Sequence, residues 1–248
     1  MKIAIITGAS SGMGKEFAYR LSKENDVDEL WLVARRKDRL CEIAENIDKP
    51  CRILSFDLSN PDMIEELEKI IGRKKPDIKW LVNSAGYGLI GNFEEFDGIR
   101  QSGVVSVNCT ALTAVTGICL PHMHEGAKIV NMASASAFLP QPGFSVYAAS
   151  KSYVLSFSRA LRQELKKRKI CVVAICPGPV DTEFFKTAQD KRPVKAYKKL
   201  FMVKSDFVVR GAMRAAHRNR AAYTPTIRMK LFRIAVKILP HGFIIKFL

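Results

Sequence analysis

The chain holds 248 residues, 48% of them hydrophobic and 26% charged, with a net charge of +16; that is material for one large α/β core, and no repeat, low-complexity run or Pro/Gly/Ser-rich linker marks a second domain. No eighteen consecutive residues are apolar, and the first apolar run stops at Thr7 and Gly8, which argues against a spanning helix and a secretory signal. The six cysteines (Cys41, Cys51, Cys109, Cys119, Cys171, Cys176) make no C-x-x-C pair and have no zinc-like neighbourhood, so no metal is expected and the thiols are expected reduced and mostly buried, as in a cytoplasmic protein.

KIAII (2–6) is a short apolar strand followed by a helical pattern carrying Phe17 and Leu21. ELWLVA (29–34) is a second strand, DRLCEIAEN (38–46) a helix, RILSF (52–56) a third strand, and DMIEELEKIIG (62–72) a helix with Pro61 near its start and Gly72 at its end. IKWLV (78–82) and KIVNM (128–132) are further strands with a helical stretch, 102–121, between them. A long helix is expected over 147–168, then a sixth strand, KICVVAI (169–175), stopped by Cys176-Pro177-Gly178-Pro179. Strand and helix alternate, and the strands are apolar throughout rather than at every second residue. That combination predicts a doubly wound α/β domain, a parallel Rossmann-like sheet covered on both faces, with ligands at the carboxyl ends of the strands.

TGASSGMG (7–14) follows the first strand and opens the first helix. Its glycines, Gly8, Gly12 and Gly14, allow a tight turn and close approach of a pyrophosphate, while the helix start offers free N–H groups. Ser10 and Ser11 add hydroxyl donors. After the second strand, where an NAD-binding protein usually has an acidic residue, the chain reads VARRK (33–37). Guanidinium groups suit a 2′-phosphate, so the expected cofactor is NADP(H), with Arg35 the leading contact and Arg36 next.

These features resemble the classical short-chain dehydrogenase/reductases. TGASSGMG matches the cofactor loop of that family, including Met13; Asp57 and Leu58 resemble its adenine-side pair; NSAG (83–86) resembles its N-N-A-G motif, with Ser84 in place of the second Asn; and PGPVDT (177–182) resembles its P-G-x-x-x-T loop. Asn108, Ser134, Tyr147 and Lys151 match its catalytic set. The resemblance runs over roughly residues 2–185, and several motifs in the right order carry it better than any one. It implies cofactor contacts from Gly8, Ser10, Ser11, Gly12, Met13, Gly14, Arg35, Arg36, Asp57, Leu58, Asn83, Ala85, Gly86, Tyr147, Lys151, Pro177, Gly178, Val180 and Thr182. For Asn83 a plain turn role, or a part in holding the loop after the fourth strand, stays open.

Tyrosine titrates near ~10 and is a weak acid–base group at neutral pH until a cation stabilises the phenolate. Lys151 stands one helical turn beyond Tyr147 on the same face and is expected to lower that value. By resemblance, Tyr147 exchanges the proton of a carbonyl or hydroxyl oxygen, Ser134 holds that oxygen, Lys151 also binds the nicotinamide ribose, and Asn108 completes a water path. Ser136 is a rival for the serine role and a candidate pocket residue. His122 and His124 sit at a helix end and receive no catalytic role.

After Thr182 a lid over the substrate is expected across 183–204, made apolar by Phe184, Phe185, Tyr197, Leu200, Phe201 and Met202, with Phe138, Leu139 and Phe144 adding to the same pocket. The expected substrate is a small lipophilic ketone or alcohol, of hydroxysteroid or bile-acid type first and 3-oxoacyl type second; equally, these residues can simply pack the lid onto the core. A non-catalytic cofactor-binding redox sensor is the reading of another class. Domain 1–225 is thus followed by a basic segment, 226–248; residues 186–248 carry 16 Lys and Arg against 2 Asp and Glu. RMKLFRIAVKIL (228–239) is an amphipathic helix suited either to an anionic membrane surface or to packing on the domain or a subunit partner. The run has no nucleic-acid reader motif. The resemblance further implies a homodimer or homotetramer built through the helices at 102–121 and 147–168.

Overall fold

The computed structural model describes residues 1–188 and 202–245. The expected strands become β1 Lys2–Thr7, β2 Glu29–Val33, β3 Cys51–Leu54, β4 Asp77–Asn83, β5 Lys128–Met132 and β6 Cys171–Ile175. Between them lie α1 Gly12–Leu21, α2 Lys37–Glu45, α3 Pro61–Lys74, α4 Gly98–Val105, α5 Leu112–Cys119 and α6 Ser145–Glu164. Beyond β6 come a short pair, β7 Val180–Asp181 with β8 Val203–Lys204, and the helices α7 Phe184–Ala188 and α8 Ser205–His217. Strand β9, Ala222–Tyr223, then leads to α9 Ile227–Ile238 and α10 His241–Ile245. All pairings in the main sheet are parallel and its order is β3-β2-β1-β4-β5-β6-β9. The seventh strand, two residues beside Ala174 and Ile175, was not expected from sequence. With β1 at the point where the order reverses, the crevice lies at the carboxyl ends of β1 and β4.

Alternation along β1 feeds two apolar layers. Ala4 and Ile6 join Phe17, Leu21, Val208 and Ala212 on one face; Ile3 and Ile5 join Leu67, Val115 and Leu161 on the other. On β4 the register shifts between Ile3 and Ala4, pairing them with Ile78 and Trp80. The bulge re-phases the strand, so that Ile78 and Leu81 face one layer while Trp80 and Val82 face the other. The stretch Gly98–His122 has length and mean hydropathy sufficient to cross a membrane. Here it is a core helix, with Ala111, Val115 and Cys119 buried against the sheet. Its middle, Ser106–Ala111, is a π-helical turn that separates α4 from α5.

The basic C-terminal helix is where the sequence expected it, and part of it packs on the domain. Val236 is buried, Arg233 lies over the Phe138 ring at 5.5 Å, and Met229 lies against Gly178. The rest of its apolar side is open: Ile227, Leu231, Ile234 and Ile238 are 73%, 61%, 56% and 76% exposed.

Candidate active site

The turn after β1 is held by backbone and hydroxyl contacts. Gly8 has φ +67°, and a Cβ there would stand 2.7 Å from the Ala85 nitrogen. Gly14 is tighter still, its Cβ position lying 2.1 Å from the Gly8 carbonyl oxygen. Thr7, which the sequence reading passed over, accepts from the amides of Ser84 and Ala85, both at 3.1 Å. Two loops from neighbouring strands thus form one continuous floor. Above it runs a cleft of about 270 Å³ lined by the glycine-rich turn, Arg35, Arg36, Asp57, Leu58, Ala85, Gly86 and Thr182. A narrow trench with glycine where a side chain would fill it, a helix start at one end and guanidinium groups beside it fits a dinucleotide phosphate chain.

Some expected cofactor contacts are elsewhere. Asn83 donates to Thr116 Oγ1 at 3.0 Å and to Asn131 Oδ1 at 2.9 Å, and Asn131 donates to Ser158 Oγ at 2.9 Å. Its side chain therefore ties β4 to β5, α5 and α6 beneath the cleft, which is the loop-holding role left open above. Arg35 is 73% exposed and 4.0 Å from Asp57, whereas Arg36 donates to Ser10 Oγ at 3.2 and 3.3 Å. The second arginine, rather than the first, is fixed to the phosphate turn. Arg39, one turn into α2, joins it by sharing the carboxylate of Glu183. Sequence gave no sign of Arg39 or Glu183, because the contact joins positions 144 residues apart. Asp57 accepts from Ser59 N and Oγ at 2.9 and 2.7 Å. Burial pushes its carboxyl upward, but these bonds and the nearby Arg35 outweigh that and hold it below its ordinary value. Pro177 accepts from Ala135 N at 2.8 Å, and Val180 is buried in the β7–β8 pair; they and Gly178 brace the far wall.

At the carboxyl end of β5 the chemistry-bearing residues converge. Ser134 caps the turn Ala135–Phe138 by accepting from Ser136 N at 3.1 Å, and its hydroxyl lies near enough to the Tyr147 phenol to pull its pKa down. Tyr147 and Lys151 sit on the first two turns of α6, 8% and 6% exposed. Lys151 Nζ donates to the Met132 carbonyl at 2.7 Å and lies 5.6 Å from the Tyr147 ring centre. The lowered phenol expected from that cation is not what this arrangement gives. Phe144 stacks on Tyr147 at 4.2 Å, Phe184 covers it at 5.3 Å, and Gly88 presses on its ring edge. Burial pushes the phenol up to about 12, with the Ser134 hydrogen bond pulling the other way. The same burial lowers Lys151 to about 8.

Asn108 is brought close by the π-helical turn. Its amide donates to the Tyr87 carbonyl and to Ser150 Oγ and accepts from Tyr87 N at 3.0 Å. Ser150 in turn donates to the Tyr147 carbonyl at 2.7 Å. Asn108 thus links the loop after β4 to the tyrosine's helix. Among the expected substrate residues, Phe144, Phe184 and Phe185 cluster at Tyr147. Ser136 contacts Gln141 at 3.4 Å. Phe138 does not belong to that cluster: it lies under α9 beside Leu155 and Val236. Of the expected lid, Tyr197, Leu200 and Phe201 lie outside the described residues, and Met202 is half-buried.

A family model described as short chain dehydrogenase matches residues 2–193. An uncharacterised oxidoreductase of Staphylococcus epidermidis is 32% identical over 183 residues, covering 73% of this chain and 79% of the relative. The 11-beta-hydroxysteroid dehydrogenase-like 3 protein of Arabidopsis thaliana is 36% identical over 191 residues, covering 73% of this chain and 60% of that longer protein. Among solved structures, a short-chain dehydrogenase from Sphingobium yanoikuyae in complex with NADPH superposes with a TM-score of 0.82 at 27% identity, covering 98% of this chain and 95% of the other.

Proposed function

The chain belongs to the short-chain dehydrogenase family and is an oxidoreductase; from that premise we propose that it interconverts a ketone and a secondary alcohol on a lipophilic substrate using NADP(H). The observation that carries this reading is the convergence of Ser134, Tyr147 and Lys151 at the end of β5, beside a glycine-floored cleft flanked by Arg36 and Arg39. When bound, the dinucleotide supplies or takes the hydride. Tyr147 protonates the carbonyl oxygen in reduction and takes the hydroxyl proton in oxidation. Ser134, whose hydroxyl acts on the phenol's pKa, orients the same oxygen. Lys151 keeps a buried positive charge at the phenol and, held by the Met132 carbonyl, is aimed toward the ribose side near Gly86.

Phe144, Phe184 and Phe185 around Tyr147 favour an apolar substrate face of hydroxysteroid or bile-acid type, in line with the name of the plant relative. A 3-oxoacyl or broad carbonyl substrate is the competing choice. The deciding experiment follows NADPH consumption against steroid ketones, bile-acid ketones and acyl ketones. Turnover restricted to short polar ketones would overturn the lipophilic assignment; binding without any turnover would favour the redox-sensor reading.

A peripheral membrane contact is a second part of the reading. The exposed stripe Ile227, Leu231, Ile234 and Ile238 on α9 stands among Arg228, Lys230 and Lys237, and no acidic residue follows Asp206. That pattern suits an anionic bilayer surface. A dimer or tetramer is assigned to the α4–α5 and α6 faces, where Val105 and Tyr153 remain 41% and 42% exposed.

A further inference from the structure

Arg36 and Arg39 are joined across the cleft mouth by one carboxylate. Glu183 Oε2 accepts from Arg36 Nη1 at 2.9 Å, and both its oxygens accept from Arg39 Nη1, at 2.6 and 2.7 Å. Arg36 is anchored in turn to Ser10 of the phosphate turn. All three side chains are 41–44% exposed, so a ligand can reach them. Hydrogen bonds from Arg39 and then Arg36 hold the Glu183 carboxyl down at about 2, the signature of an anion seated between cations.

We propose that Glu183 is an internal stand-in for the 2′-phosphate of the cofactor, a latch that the phosphate displaces. The inference rests on the NADP(H) reading. Carboxylate and phosphate compete for the same guanidinium faces, and a phosphate monoester carries up to about two negative charges against one. The exchange reaches the reaction centre because the next residue is Phe184, whose ring lies 5.3 Å from that of Tyr147. While the latch is closed, Phe184 helps bury Tyr147; when Glu183 is released, the start of α7 that carries Phe184 loses its ion-pair tether, while the far end stays held by the bond from Ile90 N to the Ala188 carbonyl at 2.9 Å. Glu183 is also a partition. It lines both the dinucleotide cleft and an adjoining cavity of about 520 Å³ bounded by Lys15, Tyr19 and Ser205, and the two share Ser10, Gly12 and Thr182. The device makes cofactor-first binding a property of one ion pair: arrival of the 2′-phosphate uncovers the tyrosine for substrate.

The test measures, by calorimetry at low ionic strength, the binding of 2′,5′-ADP and 5′-AMP to the unmodified full chain and to Glu183→Gln, together with amide exchange of residues 184–188. The latch predicts that Glu183→Gln binds 2′,5′-ADP roughly fivefold more tightly, the scale of one exposed ion pair, with 5′-AMP unchanged. Saturating 2′,5′-ADP should speed exchange at 184–188 in the unmodified chain, and the variant should already show the faster rate. If both proteins prefer 2′,5′-ADP over 5′-AMP to the same degree, the latch is wrong and the cofactor reading stands. Equal tightening toward both nucleotides would reduce Glu183 to a general surface charge and also overturn the latch. If neither protein distinguishes the two nucleotides, the cofactor reading fails and the latch with it.

Discussion

The ammonium of Lys151 lies over the face of the Tyr147 ring, 5.6 Å from its centre, while its hydrogen bond goes to the Met132 carbonyl at 2.7 Å. The cation is thus pinned by the sheet and held beside the phenol, with no carboxylate partner among the described residues. With Phe144 and Phe184 over the ring, neither group is charged cheaply in this arrangement.

Stability should report the buried lysine. Its folded pKa of about 8 lies below the ordinary 10.5. Below pH 8 both states hold the proton and the folded protein carries the cost of the buried charge. Between about 8 and 10.5 the unfolded chain keeps a proton that the folded chain has released, so stability rises with pH. Other groups, including Tyr147 and the buried thiols, act in the opposite sense at the alkaline end. The comparison with Lys151→Met removes them: urea unfolding at pH 7.5 and 10 should show the unmodified chain gaining about 2 to 3 kcal/mol relative to the variant. An unchanged difference would mean that water reaches the ammonium.

Tyr147→Phe keeps the ring stacked on Phe144 and deletes the one hydroxyl assigned to proton transfer. Turnover should fall by about 10² to 10⁴ while NADPH binding stays within about twofold. Residual activity near that of the unmodified chain would remove Tyr147 from the mechanism.

Arg36, tied to Ser10, should matter more to the cofactor than Arg35, which is 73% exposed. Arg36→Ala should weaken NADPH binding by about tenfold and leave NADH nearly unaffected; Arg35→Ala should have the smaller effect. Fluorescence titration of both dinucleotides decides it, and the reverse ranking would return the 2′-phosphate to Arg35.

Asn108→Ala removes both hydrogen bonds to the half-buried Tyr87 backbone as well as the one it donates to buried Ser150, which keeps its bond to the Tyr147 carbonyl. A loss of about 2 to 4 kcal/mol in urea unfolding is expected. A loss below about 1 kcal/mol would indicate that water replaces the amide.

On α9 the two sides of the helix should respond differently. Leu231→Glu with Ile234→Glu should abolish binding to anionic vesicles with little change in stability, whereas Val236→Glu should destabilise the fold by about 3 kcal/mol. Vesicle binding that survives the paired glutamates would transfer the stripe to packing between subunits.

The alternation of elements was legible because the strands carry apolar residues on both faces, as in Ile3–Ile6 and Leu30–Val33. Ser134, Tyr147 and Lys151 were legible because they match the motif of a known family, with Tyr147 and Lys151 one turn apart on one helix face. Other features lay beyond sequence pattern. One extra residue per turn at Ser106–Ala111, or a bulge at β4, shifts apolar spacing by less than a pattern can register. The place of Phe138 between Ser134 and Tyr147 in the chain suggests a pocket residue, while Arg233, which lies over its ring, and Val236, which lines the same cavity, come nearly a hundred residues later. That Arg36 rather than Arg35 reaches Ser10 is a matter of side-chain direction at a helix start, which is not written in composition.

The contact between Gly8 and Ala85 gives the cleft an asymmetric mechanics. With the Thr7 hydroxyl bonded to the amides of Ser84 and Ala85, the loops after β1 and β4 form a fixed jaw with no room for a hinge. The opposite jaw carries Thr182, Glu183 and Phe184 and is clasped to the glycine-rich side by Arg36 and Arg39 on Glu183 and by Thr182 against Gly12, with Ile90 N bonded to the Ala188 carbonyl behind it. Travel on ligand arrival is therefore confined to one side of the site. The reacting atoms are measured against an immobile edge, and the moving edge selects what is admitted.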